Sequence, residues 1–334
     1  MPVHVVRDVR LESGQTLPEV PLAYRVYGAL NDRRDNLVVF PTYFTGRAHS
    51  NAPFFGPGRA LDPARHCILV PCLVGNGESL SPSNAPPALS GADFPRISLR
   101  DNVRLQRALV DALFGVERIA LVIGWSMGGC QAYEWALQEP ERVERLLPFC
   151  ASARCSPTNR VFLEGVRAAL RADAAWDGDT LAGVPERGLR AFGRVYAGWA
   201  YSSAFFDGAE YRALGFETLE ALLDDWEADH LSWDARDLLC KLDAWARADI
   251  SRNPVHDGDL DAALAAIPAR AILMPCTTDA YFTPDLAQAE AARMPRAQCR
   301  PFASVWGHCA ATPGRPAPGF MDALDAAIRD LELA

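Results

Sequence analysis

A short strand that runs without interruption into Gly124-Trp125-Ser126-Met127-Gly128-Gly129, and from there into a helix closed by Pro140, constrains this chain more than any other feature. The stretch Arg118 to Ile123 reads as a buried strand of a parallel sheet. A Gly-x-Ser-x-Gly turn between strand and helix is so tight that glycines must flank the serine, whose hydroxyl is thereby lifted above the sheet edge. Similar spellings occur where a serine merely caps a helix. Here the strand before it and the helix after it favour Ser126 as a nucleophile, with the adjacent Trp125 a candidate substrate-binding residue and Gly129 allowing the helix to pack closely.

The rest of the chain supplies the elements such a turn needs. Val20 to Tyr27, Leu37 to Phe40, Cys67 to Cys72, Leu146 to Ala151, Ala271 to Cys276 and Gln298 to Phe302 read as further strands. Between them, Ser98-Leu-Arg-Asp101 opens a helix with a capping-box signature that ends near Gly115. Helices are also expected from Pro284 to Arg293 and from about Phe320 to Leu333. Ser156 to Ala266 carries helical periodicity without strand rhythm, broken at Pro185 to Gly188 and Phe206 to Gly208. The order is βαβα, a helical interlude, then βαβα again. It predicts an α/β-hydrolase fold, a mostly parallel central sheet flanked by helices, with a helical cap inserted after the sixth core strand. The core would be residues 1–155 and 267–334, and the cap 156–266. Gly75 to Pro95, rich in Ser, Pro, Asn and Gly, is expected to be a long loop near the active site.

Composition excludes several alternatives. A formal charge of −9 and a pI near 5.2 remove any broad electrostatic attraction to nucleic acid or an anionic membrane. The first residues lack the apolar run and cleavage site of a signal peptide, and no span approaches the roughly eighteen apolar residues of a membrane helix. A cytoplasmic location is expected. Nine cysteines without a CxxC pair or a cysteine–histidine cluster read as small core residues rather than disulfides or metal ligands.

A serine hydroxyl is a weak nucleophile near neutral pH unless a base lies within reach and a carboxylate orients that base. His308, in Trp306-Gly-His-Cys309, follows the last predicted strand, where this fold places its base. His4 and His66 stand at strand starts, His230 and His256 fall in the interlude, and His49 is the rival. Asp279 follows the strand ending at Cys276 and is the expected acid. Asp285, just after Pro284, reads more simply as a first-turn helix carboxylate. The oxyanion of acyl transfer needs two aimed N–H groups. One is assigned to Met127 and the other to the loop Phe40-Pro-Thr-Tyr-Phe-Thr-Gly46, with Phe44 the first choice and Tyr43 the alternative.

These residues resemble the homoserine O-acetyltransferase-like branch of the α/β-hydrolases. GWSMGGCQAYEWA is similar to that family's GGSMGGMQALEWA, and DNVRLQRALVDALFGV to its D-x-V-x-x-Q-x-x-L-L-x-x-L-G-I helix. TTDAYFTP resembles its S-D-L-L-F-P-P acid loop, and GHCA stands where the family has G-H-D. Through the similar stretch Gly188-Leu189, Arg194 and Tyr201, the resemblance implies that Arg194 and Tyr201 lie near the acyl tunnel. It also implies pairing of two copies through the cap.

Two departures bear on the acceptor. Gly75 to Asn84 replaces the family's GSTGP-type loop, and Cys309 replaces an aspartate able to pair with a substrate amino group. Homoserine is therefore not the expected acceptor. The leading expectation is hydrolysis of a small ester or thioester through an acyl-Ser126 intermediate. Transfer from an acyl-CoA to another alcohol is the second, and a non-catalytic binding protein of the same fold the third. The triad's ping-pong chemistry does not separate the first two. Gly75-x-Gly77 lacks the helix and third glycine of a dinucleotide turn, so neither a nucleotide cofactor nor a metal is expected. The aromatic residues Trp199, Tyr201, Phe205 and Phe206 suit a substrate tunnel, a dimer contact or the cap's own core.

Overall fold

The chain alternates strand and helix because fully apolar runs of four or five residues alternate with amphipathic stretches. In the computed structural model, which describes residues 1–89 and 91–332, these runs supply the central strands of one sheet, and mixed polar and apolar segments supply its outer strands. Before the cap come β1 (Val3–Arg10), β2 (Thr16–Tyr27), β3 (Leu37–Val39), β4 (Cys67–Pro71), β5 (Leu121–Trp125) and β6 (Arg145–Phe149). Within the cap, β7 (Trp176–Asp177) and β8 (Thr180–Leu181) form a two-residue hairpin. β9 (Arg270–Leu273) and β10 (Ala297–Cys299) follow it. The large sheet has the order β1-β2-β4-β3-β5-β6-β9-β10. β1 and β2 are antiparallel to each other and β2 to β4, and every other pair is parallel.

β5 is central, paired with β3 on one side and β6 on the other. All five of its residues are buried, as a parallel strand covered on both faces requires. On one face, α1 (Leu99–Leu113), α2 (Met127–Gln138) and α9 (Pro284–Ala291) contribute to an apolar layer with Val103, Leu109, Trp135 and Ala287. On the other, α10 (Phe320–Asp330) contributes Phe320, Leu324 and Ile328. α1 begins as its sequence indicates: Ser98 Oγ accepts the Asp101 N–H at 3.0 Å and the Asp101 carboxylate accepts the Ser98 N–H at 3.2 Å.

The cap comprises α3 (Pro157–Arg171), α4 (Glu186–Ala200), α5 (Ser203–Asp207), α6 (Leu219–Leu231) and α7 (Ala235–Ala246). Phe162, Leu163, Phe192 and Phe205 join it to the core layer that holds α10. Three expectations are corrected. Strand rhythm is not wholly absent, since β7 and β8 lie here. Pro185 to Gly188 starts α4 rather than breaking a helix, and a Cβ on Gly188 would fall 2.5 Å from the Leu170 carbonyl, so glycine is what lets α3 and α4 approach. Residues 249–266, including α8 (Leu260–Ala265), pack through Ile250, Ala263 and Leu264 with the α1 and α9 layer rather than with the cap. The last helix ends at Asp330, and Leu333 lies outside the described residues. All nine cysteines are free thiols, and no helix among the described residues is long and apolar enough to cross a membrane.

Candidate active site

The C-terminal ends of the parallel strands meet along one edge of the sheet, the place where side chains from distant parts of such a chain converge. At the end of β5 the chain turns through Ser126 with φ 56° and ψ −130°, a conformation that costs energy for any residue bearing a Cβ. Bonds on both sides hold it: the Ser126 N–H donates to the Phe149 carbonyl, and the Ser126 carbonyl accepts from the N–H groups of Gly129 and Cys130. A Cβ on Gly124 would lie 2.2 Å from Gly128, and one on Gly128 would lie 2.6 Å from the Pro41 carbonyl. Glycine is required at both positions because backbones meet there.

Ser126 Oγ lies 2.9 Å from His308 Nε2, and His308 Nδ1 lies 2.7 Å from Asp279 Oδ2. All three residues are buried. Asp279 Oδ1 also accepts the N–H groups of Tyr281 and Phe282 at 3.1 and 2.9 Å, so both oxygens are committed as acceptors. Nδ1 therefore carries the imidazole proton, which leaves the Nε2 lone pair facing the serine hydroxyl. The ring is wedged among Trp125, Tyr281 and Phe282, with centroids 5.2, 4.6 and 5.5 Å away. Thr278 stitches the Asp279 and His308 loops together, its Oγ1 donating to the Ser304 carbonyl and accepting the Gly307 N–H. Asp285 is exposed in the first turn of α9, and His49 is exposed at the cavity rim. Cys150 Sγ lies near the Asp279 and His308 donor atoms, but burial and the Asp279 charge raise its thiol well above its ordinary range, so it stays neutral.

The loop after β3 stands opposite the start of α2. Asn51 Nδ2 donates to the carbonyls of Phe40 and Pro41, Asn76 Nδ2 to that of Gly46, and Glu78 accepts the Ala48 N–H at 2.7 Å. The Gly75 to Pro95 loop thus braces this segment from behind, and none of its described residues lines the cavity. Among the described residues, the N–H groups of Tyr43, Phe44 and Met127 have no intramolecular acceptor. Tyr43, Phe44, Ser126 and His308 open together onto a cavity of about 510 Å³ under the cap.

Residues 36–199 match the model of a family described as alpha/beta hydrolase fold. The chain is 35% identical over 302 residues to an ethyl acetate hydrolase of Pseudomonas veronii, covering 89% of this chain and 86% of that protein. The chain belongs to the α/β-hydrolase family. A homoserine O-acetyltransferase of Nostoc punctiforme is 31% identical over 317 residues, covering 90% of this chain and 88% of that one. The solved structure of the acetyl esterase MekB superposes with a TM-score of 0.94 at 34% identity, covering 99% of this chain and 96% of that one. This α/β hydrolase is thus an enzyme whose relatives carry the names of esterases and of acetyltransferases.

In this hydrolase Tyr201 and Trp125 line the cavity, whereas Arg194 does not. Arg194 lies on the outward face of α4, where Glu220, Asp224 and Glu227 of α6 bind its guanidinium, so the expectation that it borders the acyl tunnel is corrected. Of Trp199, Tyr201, Phe205 and Phe206, Tyr201 alone reaches the cavity, stacked on the fully buried Phe205 at 4.0 Å. Cys309 lines the cavity beside the Tyr201 hydroxyl and Thr312, and burial pushes its thiol up to about 12, so it presents no charge. Sequence reasoning missed Tyr196, Trp226, His230 and Trp233, which also line the cavity. It missed Lys241 too, fully buried, with Nζ 3.8 Å from the Trp233 ring centroid and 5.1 Å from that of Phe44. None of these sits in a motif, and only the folded cap brings them together.

Proposed function

We propose that this enzyme hydrolyses small carboxylic esters, with short acyl groups such as acetyl, through an acyl-Ser126 intermediate. The hydrogen-bonded row Ser126, His308 and Asp279 at the floor of the cavity carries this reading. His308 Nε2 takes the Ser126 proton as Oγ attacks the ester carbonyl. The N–H groups of Met127 and Phe44, with Tyr43 the alternative to Phe44, receive the oxyanion. The alcohol departs with the proton held on His308, and a water molecule, activated by the same nitrogen, releases the acid and restores the serine.

Water as acceptor is supported by the neutral Cys309 beside the base, which offers no charge to an amino group, and by the names of the relatives that match across most of the chain. The test compares p-nitrophenyl acetate with acetyl-CoA plus a panel of alcohols, including an acyl-length series. Ester hydrolysis that declines with longer acyl chains is expected, with no alcohol accelerating release of CoA. Efficient transfer from acetyl-CoA with negligible hydrolysis would replace this reading with acyl transfer.

A further inference from the structure

The two sources of oxyanion N–H groups belong to separate pieces of chain, the first turn of α2 and the loop after β3, so a hole of fixed width requires a tie between them. One side chain makes it. Gln131 on α2 has no exposed surface, and its Nε2 lies 2.9 Å from the Thr42 carbonyl oxygen and 3.1 Å from that of Met127. The Met127 bond stays within the helix, while the Thr42 bond crosses to the loop immediately before Tyr43 and Phe44. Thr42 is otherwise pinned by its own N–H, which donates to the Pro71 carbonyl, and by its Oγ1, which accepts the Leu73 N–H at 3.0 Å. Across a trans peptide the Tyr43 N–H points opposite to the Thr42 carbonyl, so fixing that carbonyl fixes the Tyr43 N–H directly and anchors the start of the next peptide, which carries the Phe44 N–H.

The polarity of the tie is set farther back. A side-chain amide can be turned over with little change of shape, and only its partners decide which end faces where. The Trp135 indole N–H can only donate, and it donates to Gln106 Oε1 at 2.8 Å. Gln106 Nε2 is thereby turned toward Gln131 Oε1, 2.6 Å away, which leaves Gln131 Nε2 to face the two carbonyls. Gln106 and Trp135 are as fully buried as Gln131. A buried polar row of this kind confers no more stability than apolar packing unless every member is satisfied, and what it adds is a single defined geometry. Resting on the reading of Ser126 as nucleophile, we infer that Gln131 is a positioning residue that sets the width of the oxyanion hole, with Trp135 and Gln106 fixing its orientation.

The experiment uses Gln131→Met and Gln131→Glu in the full chain, with p-nitrophenyl acetate as substrate and an alkyl boronic acid as a tetrahedral mimic. Loss of one oxyanion donor costs about 10²–10³ in turnover, so a hole that is merely loosened is expected to lose about 10- to 100-fold in kcat, with KM changing by less than about threefold. Boronate affinity should fall in parallel. In Gln131→Glu, a protonated carboxyl can still donate to the Thr42 carbonyl and a carboxylate cannot, so the ratio of variant to wild-type kcat should rise as pH falls. A residue that only packs would move neither boronate affinity nor that ratio. Wild-type kcat in folded Gln131→Met overturns the inference, as does a pH-independent ratio for Gln131→Glu, which decides alone if the methionine variant does not fold. Fluorophosphonate labelling of the wild type separates the two levels. An unlabelled wild type defeats the nucleophile assignment, whereas a labelled wild type with indifferent Gln131 variants defeats only the role given to Gln131.

Discussion

Ser126 holds a backbone conformation that is costly for any residue with a side chain, and His308 holds a ring orientation locked by three aromatic neighbours. Such constraints are worth maintaining where a hydroxyl must meet a nitrogen lone pair at 2.9 Å. Ser126→Ala and His308→Ala are each expected to lower kcat for p-nitrophenyl acetate by roughly four to six orders of magnitude. Asp279→Asn should lose about 10⁴-fold by stabilising the wrong tautomer, while Asp285→Asn stays near wild type. The reverse order would place the acid elsewhere. Chain order made the three residues legible, because each follows its own strand. Arg194 was misread because spacing along α4 does not reveal which face meets α6, and three α6 carboxylates draw the side chain outward. Arg194→Ala is accordingly expected to leave KM and kcat within about threefold, and a large rise in KM would return Arg194 to the site.

Among elements, the β5 to α2 junction carries the most information, because the glycine spacing that identifies it also fixes how close the loop after β3 can come. Gly128→Ala would drive a methyl group against the Pro41 carbonyl, 2.6 Å from its ideal position. Displacement of that loop is expected to cost at least tenfold in kcat and about 1–3 kcal/mol in urea unfolding. Ser98→Ala removes a cap far from the site and should cost about 1 kcal/mol with turnover unchanged. Equal effects of the two substitutions on kcat would contradict the role given to the junction. Most strands and core helices were legible from apolar runs and caps, but β1 was not delimited, β2 begins at Thr16 rather than Val20, and β9 and β10 end a few residues early where pairing stops. The cap was legible only as helical. Its cavity-lining residues Tyr196, Trp226, His230 and Trp233 come from two helices and a connecting turn whose packing no local pattern encodes.

At the scale of the whole molecule, one buried carboxyl joins the helix that follows Ser126, the chain leaving β6 for the cap, and α9. Glu290 accepts the Tyr133 hydroxyl at 2.6 Å and the Ala153 N–H at 2.9 Å, and burial raises it from its ordinary 4.5 to about 7. Because the folded state binds this proton more tightly than the unfolded chain, the group's contribution to stability is full below about 4.5 and is lost as pH rises through about 7. Glu290→Gln should therefore flatten the fall in melting temperature over that window and melt higher than the wild type above it, and an unchanged slope would show that the carboxyl does not titrate there. The central claim is that this framework brings Ser126, His308 and Asp279 into one working row. The most direct measurement is peptide mapping by mass spectrometry after brief exposure of folded protein to a fluorophosphonate. A single adduct on the peptide containing Ser126, abolished by Ser126→Ala and strongly slowed by His308→Ala, is the expected result. No adduct, or one on a different serine, would contradict it.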